Sequence, residues 1–304
     1  MKKLVLSLAA TCCILAPSLA QAVTYRQLEA VNSNGSSAYS GITGSITLTG
    51  VVLNDPTEMS TSSDYWQLFI QSLDPTDHGG VVLWDGYMNY LGDGSYGVDA
   101  SLTSLTLNYG DVVTVTAYAT DDRCGKCNLT DNHGASTIFT VTKTTDHYDT
   151  VSSETITLAD LKNTDDTFQF DSSRNSGCEY YQSTLVSLKG LTLADASLWG
   201  KDQTVTVKQK INGVDYTFDL LLGSNDSLNL SADTLSLMET KGFDLTAILD
   251  QEDTSSPYTG GYRLWLTSTE NGALTVVPEP GALALCLAGG LATMLVWRRR
   301  RSAA

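Results

Sequence analysis

The residues best suited to chemistry are two cysteines separated by two residues, Cys124 and Cys127. A Cys-x-x-Cys pair can be a redox centre, half of a zinc site or a small disulfide. A redox centre favours a helix N-terminus after a strand, whereas this pair lies in a predicted loop between two strands. The neighbouring carboxylates of Asp121 and Asp122 would raise the pKa of a thiol, which is the wrong direction for a reactive cysteine.

The choice between zinc and a disulfide depends on the compartment. A zinc site could recruit the nearby acids and one histidine, and its candidate ligands would be Asp121, Asp122, Cys124, Cys127 and His133. It lacks a second Cys-x-x-Cys, and its sulfurs must stay reduced. An oxidising compartment favours a disulfide. We therefore predict a Cys124–Cys127 disulfide in an exposed loop and assign no metal, while the pairing of Cys178 stays open.

No other constellation predicts catalysis. The histidines His78, His133 and His147 have no surroundings that suggest a Ser/His/Asp or Cys/His set. Residues 93–95 and 164–166 are similar to fragments of calcium loops but complete none. We therefore predict a protein that is not an enzyme and has no cofactor, with calcium as the one ion that the acidic fragments would suit.

The elements that must position these residues are strands. Apolar and polar residues alternate along most of the body, which indicates strands with one buried face. We predict strands at 41–54, 65–74, 80–84, 111–120 and 136–143, and again at 183–194, 203–211, 215–222, 242–250 and 261–267. Helices are scarce, with short ones predicted at 157–162 and 231–239.

Each half thus has five strands, with a long connection after the third. This is the plan of a five-stranded oligonucleotide/oligosaccharide-binding (OB) barrel. We predict an all-β protein with tandem OB-like domains at 23–145 and 146–277, with β-sandwiches as the alternative. Short sequence segments in both halves resemble exported bacterial OB-fold domains. They lie at 50–52, 65–70, 80–83 and 109–115, and at 183–186, 242–246 and 257–264.

In such a barrel the loops 54–63 and 121–134 flank the usual ligand face. Aromatic residues near that face could stack on sugars or bases, or could be barrel core: Tyr65, Trp66, Trp84, Tyr87 and Tyr90. Between residues 23 and 120 the single basic residue is Arg26. We therefore predict that nucleic acid is not a partner, and that extracellular polysaccharide is the candidate ligand.

Charge supports the same view. Residues 23–277 hold 12 of the 18 basic and 33 of the 34 acidic residues, a net charge of −21. Such a surface repels phosphate backbones and anionic lipids. It suits solubility outside the cell, cationic partners or divalent ions.

Both ends of the chain resemble sorting signals. Lys2 and Lys3, an apolar run at 4–15 and a small-residue site at 20–22 predict a signal peptide over residues 1–22. At the other end, Pro278, Glu279 and Pro280 precede an uncharged run at 281–297. A transmembrane helix needs about 20 apolar residues, with a lower limit of about 17.

The tail ends in four basic residues, Arg298, Arg299, Arg300 and Arg301, which would hold that end in the cytoplasm. The region 278–301 resembles the PEP-CTERM sorting signal of Gram-negative bacteria. That resemblance implies export through the Sec translocon, a transient stay in the inner membrane, processing by an exosortase, and release to the cell surface or extracellular matrix. The motif residues would be recognised, not catalytic.

Together, these predictions lead to three hypotheses about function. The leading hypothesis is an exported, exosortase-sorted, non-catalytic surface or matrix protein. The alternative is a secreted protein that binds polysaccharide or divalent cations through loops 54–63 and 121–134. An exported hydrolase or nuclease accessory is a third hypothesis.

Overall fold

Strands dominate the computed structural model, which describes residues 23–39, 45–60, 62, 65–86, 97–118, 120–130 and 139–277. They form two seven-stranded sheets that follow each other along the chain. This confirms the prediction of an all-β protein. We call the described residues of 23–147 the first unit and residues 154–277 the second unit.

The first unit is an extended sheet. Its strands are β1 (Ile46–Val52), β2 (Tyr65–Ser72), β3 (Gly80–Gly86), β4 (Asp111–Ala117), β5 (Thr120–Arg123), β6 (Lys126–Thr130) and β7 (Phe139–His147). Their spatial order is β5-β6-β3-β2-β1-β4-β7. All neighbours are antiparallel except β3 and β6, which are parallel.

The second unit contains a closed barrel. Its strands are β8 (Glu154–Ile156), β9 (Leu185–Leu193), β10 (Thr204–Ile211), β11 (Val214–Leu222), β12 (Phe243–Gln251), β13 (Tyr262–Leu266) and β14 (Leu274–Val276). The circle β9-β10-β11-β13-β12 closes because β12 also pairs with β9. Strands β11 and β13 are parallel. This order is that of an OB barrel, to which β8 and β14 add outer pairings.

Helices are short and lie between strands. They are α1 (Tyr25–Leu28), α2 (Ala100–Thr103), α3 (Gly177–Tyr181) and α4 (Ala232–Thr240). Helix α4 confirms the helix predicted at 231–239, and its N-cap Ser231 accepts a hydrogen bond from the backbone N–H of Thr234. The helix predicted at 157–162 is a single 3-10 turn, Leu158–Asp160.

The ten predicted strands are all present, but the last strand of the first half has a different place. Strand β7 pairs with β4 instead of occupying the fifth position of a barrel. The position parallel to β3 belongs to β6, which sequence analysis assigned to loop 121–134. The loop prediction was wrong because β6 carries polar residues on its outward face, which the second unit covers. Polar residues suggested an exposed loop, although all five residues of the strand are buried.

A hydrophobic core lies between the two units. Strand β2 shows why: Leu68 and Ile70 point into the core of the first unit, whereas Phe69 points outward. Phe69 meets Trp265 of the second unit edge-on, with ring centroids 6.1 Å apart. Other side chains of this interface core are Val51, Leu53, Met59, Val82, Val151, Leu185 and Ile248. Both faces of β2 are therefore buried at its centre, where residues 68–70 form a continuous apolar run instead of an alternating one.

No helix within the described residues is long and apolar enough to span a membrane. The predicted signal peptide 1–22 and the sorting region 278–301, including the transmembrane segment 281–297, lie outside the described residues.

Candidate functional site

The Cys-x-x-Cys motif forms the tip of the hairpin between β5 and β6. Cys124 and Gly125 are its two turn residues, with φ angles of 56° and 92°, as a tight two-residue hairpin turn requires. The tip docks against the second unit, because the backbone N–H of Asp253 donates to the carbonyl of Cys124 at 3.0 Å. A Cβ at Gly125 would lie 2.7 Å from the side chain of Gln251. Together with the φ angle of 92°, this contact means that any other residue here would be strained.

All three described cysteines, Cys124, Cys127 and Cys178, are free thiols, which differs from the predicted Cys124–Cys127 disulfide. Cys124 lies in the turn, while Cys127 is buried in the core of the first unit. Burial raises the pKa of the Cys127 and Cys178 thiols well above the usual value. Buried thiols of this kind are weak nucleophiles.

The predicted metal ligands do not assemble within the described residues. No group of three or more His, Cys, Asp or Glu side chains there is close enough to hold a metal ion. Asp121 and Asp122 point to opposite faces of β5, as successive strand residues do. His133 lies outside the described residues.

The other predicted ligand loop, 54–63, is also engaged by the second unit. The backbone N–H of Ser224 donates to the carbonyl of Glu58 at 2.8 Å, and the Asn225 side-chain amide donates to the Glu58 carboxyl. A Cβ at Gly223 would lie 2.4 Å from that same carbonyl. Both loops that were predicted to bind a ligand therefore help to join the two units.

Beside this loop a cleft of about 220 Å³ opens between the units. Apolar residues, including Trp265, form part of its lining, and Asp55, Glu58 and Glu270 add carboxyl groups. Partial burial raises the pKa of Glu58, and the negative charges of Asp55 and Glu270 raise it further, against the hydrogen bond from Asn225.

Next to the hairpin lies a buried charge network that crosses the interface. The Lys126 ammonium donates to Asp250, whose carboxylate is fully buried. Arg263 holds the other oxygen of Asp250 through Nε at 3.1 Å and Nη2 at 2.9 Å, and it also pairs with Glu252. Burial alone would lower the pKa of Arg263, but the two carboxylates raise it above its usual value. The guanidinium carbon lies 5.0 Å from the centroid of the Trp265 ring.

Above this network is a cavity of about 130 Å³, which we call the hairpin pocket. It is lined by Gln67, Trp84, Asp121, Arg123, Cys124, Lys126, Asn128, Thr130, Glu252 and Arg263. Strand register explains how these residues come together. Gln67 on β2 faces Trp84 on β3, and Trp84 faces Thr130 on β6. Asn128 and Lys126 precede Thr130 at intervals of two, so they lie on the same face.

Three side chains of the hairpin pocket are buried but unused by the fold. Gln67, Asn128 and Thr130 are only 7%, 5% and 5% exposed. Their side chains make no hydrogen bond to any described residue, and the Oδ1 atom of Asn128 is fully buried without a partner. Buried polar groups normally have partners, so this cavity is the best candidate for a binding site.

A second polar cluster, the carboxyl cluster, joins the units on the other side of the hairpin. Arg174 donates to the backbone carbonyl of Glu29 and lies 3.9 Å from its carboxyl. Burial raises the pKa of Glu29 to about 8, although Arg174 opposes this. Burial likewise raises the pKa of Glu179 to about 7, although a hydrogen bond from Tyr262 opposes it.

Among the predicted aromatic residues, the structure separates core from site. Trp66 belongs to the core of the first unit, with its ring 6.0 Å from that of Phe139. Trp84 lines the hairpin pocket, and Tyr65 lines a separate cleft beside loop 54–63. Tyr87 and Tyr90 lie outside the described residues. Gln67 was not predicted as a site residue, and the available signal was an amide between the apolar residues Trp66 and Leu68 of β2.

No family model and no curated protein matches the chain. Solved structures do, at low similarity. One concerns the molecular basis for abrogation of activation of pro-inflammatory cytokines. It is 9% identical, with a TM-score of 0.31, over 79% of this chain and 97% of that one. The tetrameric p202 HIN2 is 10% identical, with a TM-score of 0.28, over 82% and 98%.

A third similar structure is the Ifi202 HINa domain in complex with 20bp dsDNA, at 10% identity and a TM-score of 0.30, over 73% of this chain and 94% of that one. The prediction that nucleic acid is not a partner is corrected on this finding, because the matched structure has DNA bound. At these TM-scores the similarity does not assign DNA binding to this chain.

Proposed function

We propose that the chain is an exported, non-catalytic protein of the cell surface or extracellular matrix, sorted by an exosortase. The observation that carries this proposal is the order of the C-terminal residues: Pro278, Glu279 and Pro280, an uncharged run, then four arginines. The signal-like N-terminus and the acidic body support it, because a strongly charged surface favours solubility.

The proposal includes two OB-like barrels in tandem, at 23–145 and 146–277. In the first unit, β5 follows β4 after only residues 118 and 119, and β6 is parallel to β3. In the second unit β13 is parallel to β11 in the same way. If β4 and β5 are one bent strand, the first sheet has the same circular order as the closed barrel. The C-terminal helix 281–297 would serve as a transient membrane anchor.

The sorting proposal is tested by mass spectrometry of the exported protein in its native host. We expect wild-type protein that has lost its C-terminal tail. The Glu279→Ala variant should retain the tail and accumulate in the inner membrane. Glu239→Ala, which removes an exposed acid in helix α4, is the matched control and should be processed normally. A tail that stays intact in exported wild-type protein would contradict the proposal.

A second candidate function is the binding of polysaccharide or divalent cations. The observation that favours it is the hairpin pocket, a polar cavity with three buried side chains that make no hydrogen bond to any described residue. A glycan array and a calcium titration distinguish this candidate from a purely structural role. Binding in neither experiment would remove it.

A further inference from the structure

We propose that the hairpin pocket binds one neutral sugar ring of a polysaccharide, stacked on Trp84 and held by Gln67, Asn128 and Thr130. This inference rests on the binding function proposed above and names its site and its ligand class. The proposal follows from the charge, the polar lining and the position of the cavity.

The charge of the cavity favours a neutral ligand. The charged groups that line it or are bonded to its lining are three basic and three acidic: Arg123, Lys126 and Arg263, and Asp121, Asp250 and Glu252. Four of them already neutralise one another through Asp250 and Glu252. The other two, Arg123 and Asp121, have opposite charges, so the lining has no excess charge that would select an anion or a cation. A neutral ligand leaves the ion pairs around Asp250 intact.

The free hydrogen-bonding groups suit hydroxyls. Two side-chain amides and one hydroxyl offer both donors and acceptors within a single cavity. Neighbouring hydroxyls of a sugar also donate and accept, so each could bond without leaving a buried group unpaired. Trp84, which is only partly buried, adds an aromatic wall for the C–H face of a ring. Aromatic walls with a few convergent polar groups are typical of small-ligand sites.

The cavity also has room for more than one water molecule. A volume of about 130 Å³ exceeds several-fold the space that one water molecule needs. The lining comes from both units, with Glu252 and Arg263 closing the side opposite β6. The pocket therefore exists only when the units are docked, and a single ring is the natural occupant.

The experiment uses the full chain in a detergent without a sugar headgroup. Glucose, galactose and N-acetylglucosamine, and neutral hexasaccharides of each, are titrated by NMR saturation transfer. A ligand of about 12 heavy atoms at typical efficiency binds in the millimolar range. We expect saturation transfer to at least one of these sugars, at about that affinity.

Three variants test the residues. Trp84→Ala should weaken binding about tenfold or more. Gln67→Leu and Thr130→Val should each weaken it several-fold. Because these two polar groups make no hydrogen bond within the described chain, their removal should leave thermal stability unchanged or raise it. Tyr148→Ala, which removes an exposed aromatic ring elsewhere, is the control and should bind as wild type does.

Three results would overturn the proposal. The first is the absence of saturation transfer from wild-type protein to every sugar. The second is unchanged sugar binding by Thr130→Val and Gln67→Leu in folded protein. The third is tighter binding of a single-stranded dT oligonucleotide than of any sugar, which would assign the pocket to another ligand. None of these results bears on tail removal, so the sorting proposal and this one fail independently.

Discussion

The two polar clusters that join the units bury their charges in different ways. In the buried charge network next to the hairpin, every charge meets an opposite charge: Lys126 and Arg263 both bind Asp250. In the carboxyl cluster, one guanidinium, Arg174, serves the two acids Glu29 and Glu179, and both carboxyl groups have raised pKa values. In the network around Asp250 the charges neutralise one another, whereas in the carboxyl cluster the raised pKa values favour protonated carboxyls. The stability that the network contributes should therefore depend on its partner residues, and the stability that the carboxyl cluster contributes should depend on pH.

The largest effect should come from removing the shared carboxylate. Asp250→Ala leaves the Lys126 ammonium and the Arg263 guanidinium without their buried partner, and such losses cost about 3–5 kcal/mol. Urea denaturation measures the free energy of unfolding. Lys126→Met is the matched comparison and should cost clearly less, because Asp250 keeps both hydrogen bonds from Arg263. Equal losses in the two variants would contradict the idea of a shared central carboxylate.

The carboxyl cluster should make stability depend on pH. Glu29 and Glu179 bind protons more tightly when folded, since their pKa values are about 8 and about 7 instead of 4.5. Between the ordinary pKa of 4.5 and these raised values, the folded state holds more protons than the unfolded state. The free energy of unfolding therefore falls as pH rises through this range. We expect a loss of a few kcal/mol between pH 5 and pH 8.5, measured by urea denaturation at each pH.

Glu29→Gln is the control for this pH dependence. The amide has nearly the same shape but cannot ionise, so the loss between pH 5 and pH 8.5 should shrink to the part due to Glu179. A variant that keeps the full wild-type dependence would show that Glu29 does not hold a proton in the folded protein.

The smallest effect should come from an exposed pair. Lys210 and Asp215 lie 3.2 Å apart across the turn between β10 and β11, and both side chains are mostly exposed. Exposed ion pairs contribute about 0–1 kcal/mol because water screens them. Asp215→Ala should change the unfolding free energy by less than about 0.5 kcal/mol. A larger loss would show that burial is not what separates this pair from Lys126–Asp250.

The strands were predictable because alternation is a local signal. Residues 204–211, for example, alternate and form β10 with one buried face. Asn212 and Gly213 then form the two-residue turn into β11, with positive φ angles. Strand β6 was missed for the opposite reason. All five of its residues are buried, since the second unit covers the face that its polar residues occupy.

The candidate site was predictable only in part. Trp84 and residues 121–134 were placed near a ligand face, and Trp84 and several of those residues do line the hairpin pocket. Loop 54–63 and the hairpin tip were expected to be free to bind, and instead they contact the second unit. Contacts such as Lys126–Asp250 join residues 124 positions apart, and no local pattern encodes such a distance.

The sequence by itself determined the β character of the chain, its acidic charge, the positions of the strands and the sorting signals predicted at its ends. These depend on composition or on patterns of a few neighbouring residues. Only the tertiary structure decided how the units meet, which cysteines are buried, which carboxyls have raised pKa values and which polar side chains share a cavity. Those properties depend on burial and on distances between remote residues, and both arise only when the second unit covers the outer face of the first.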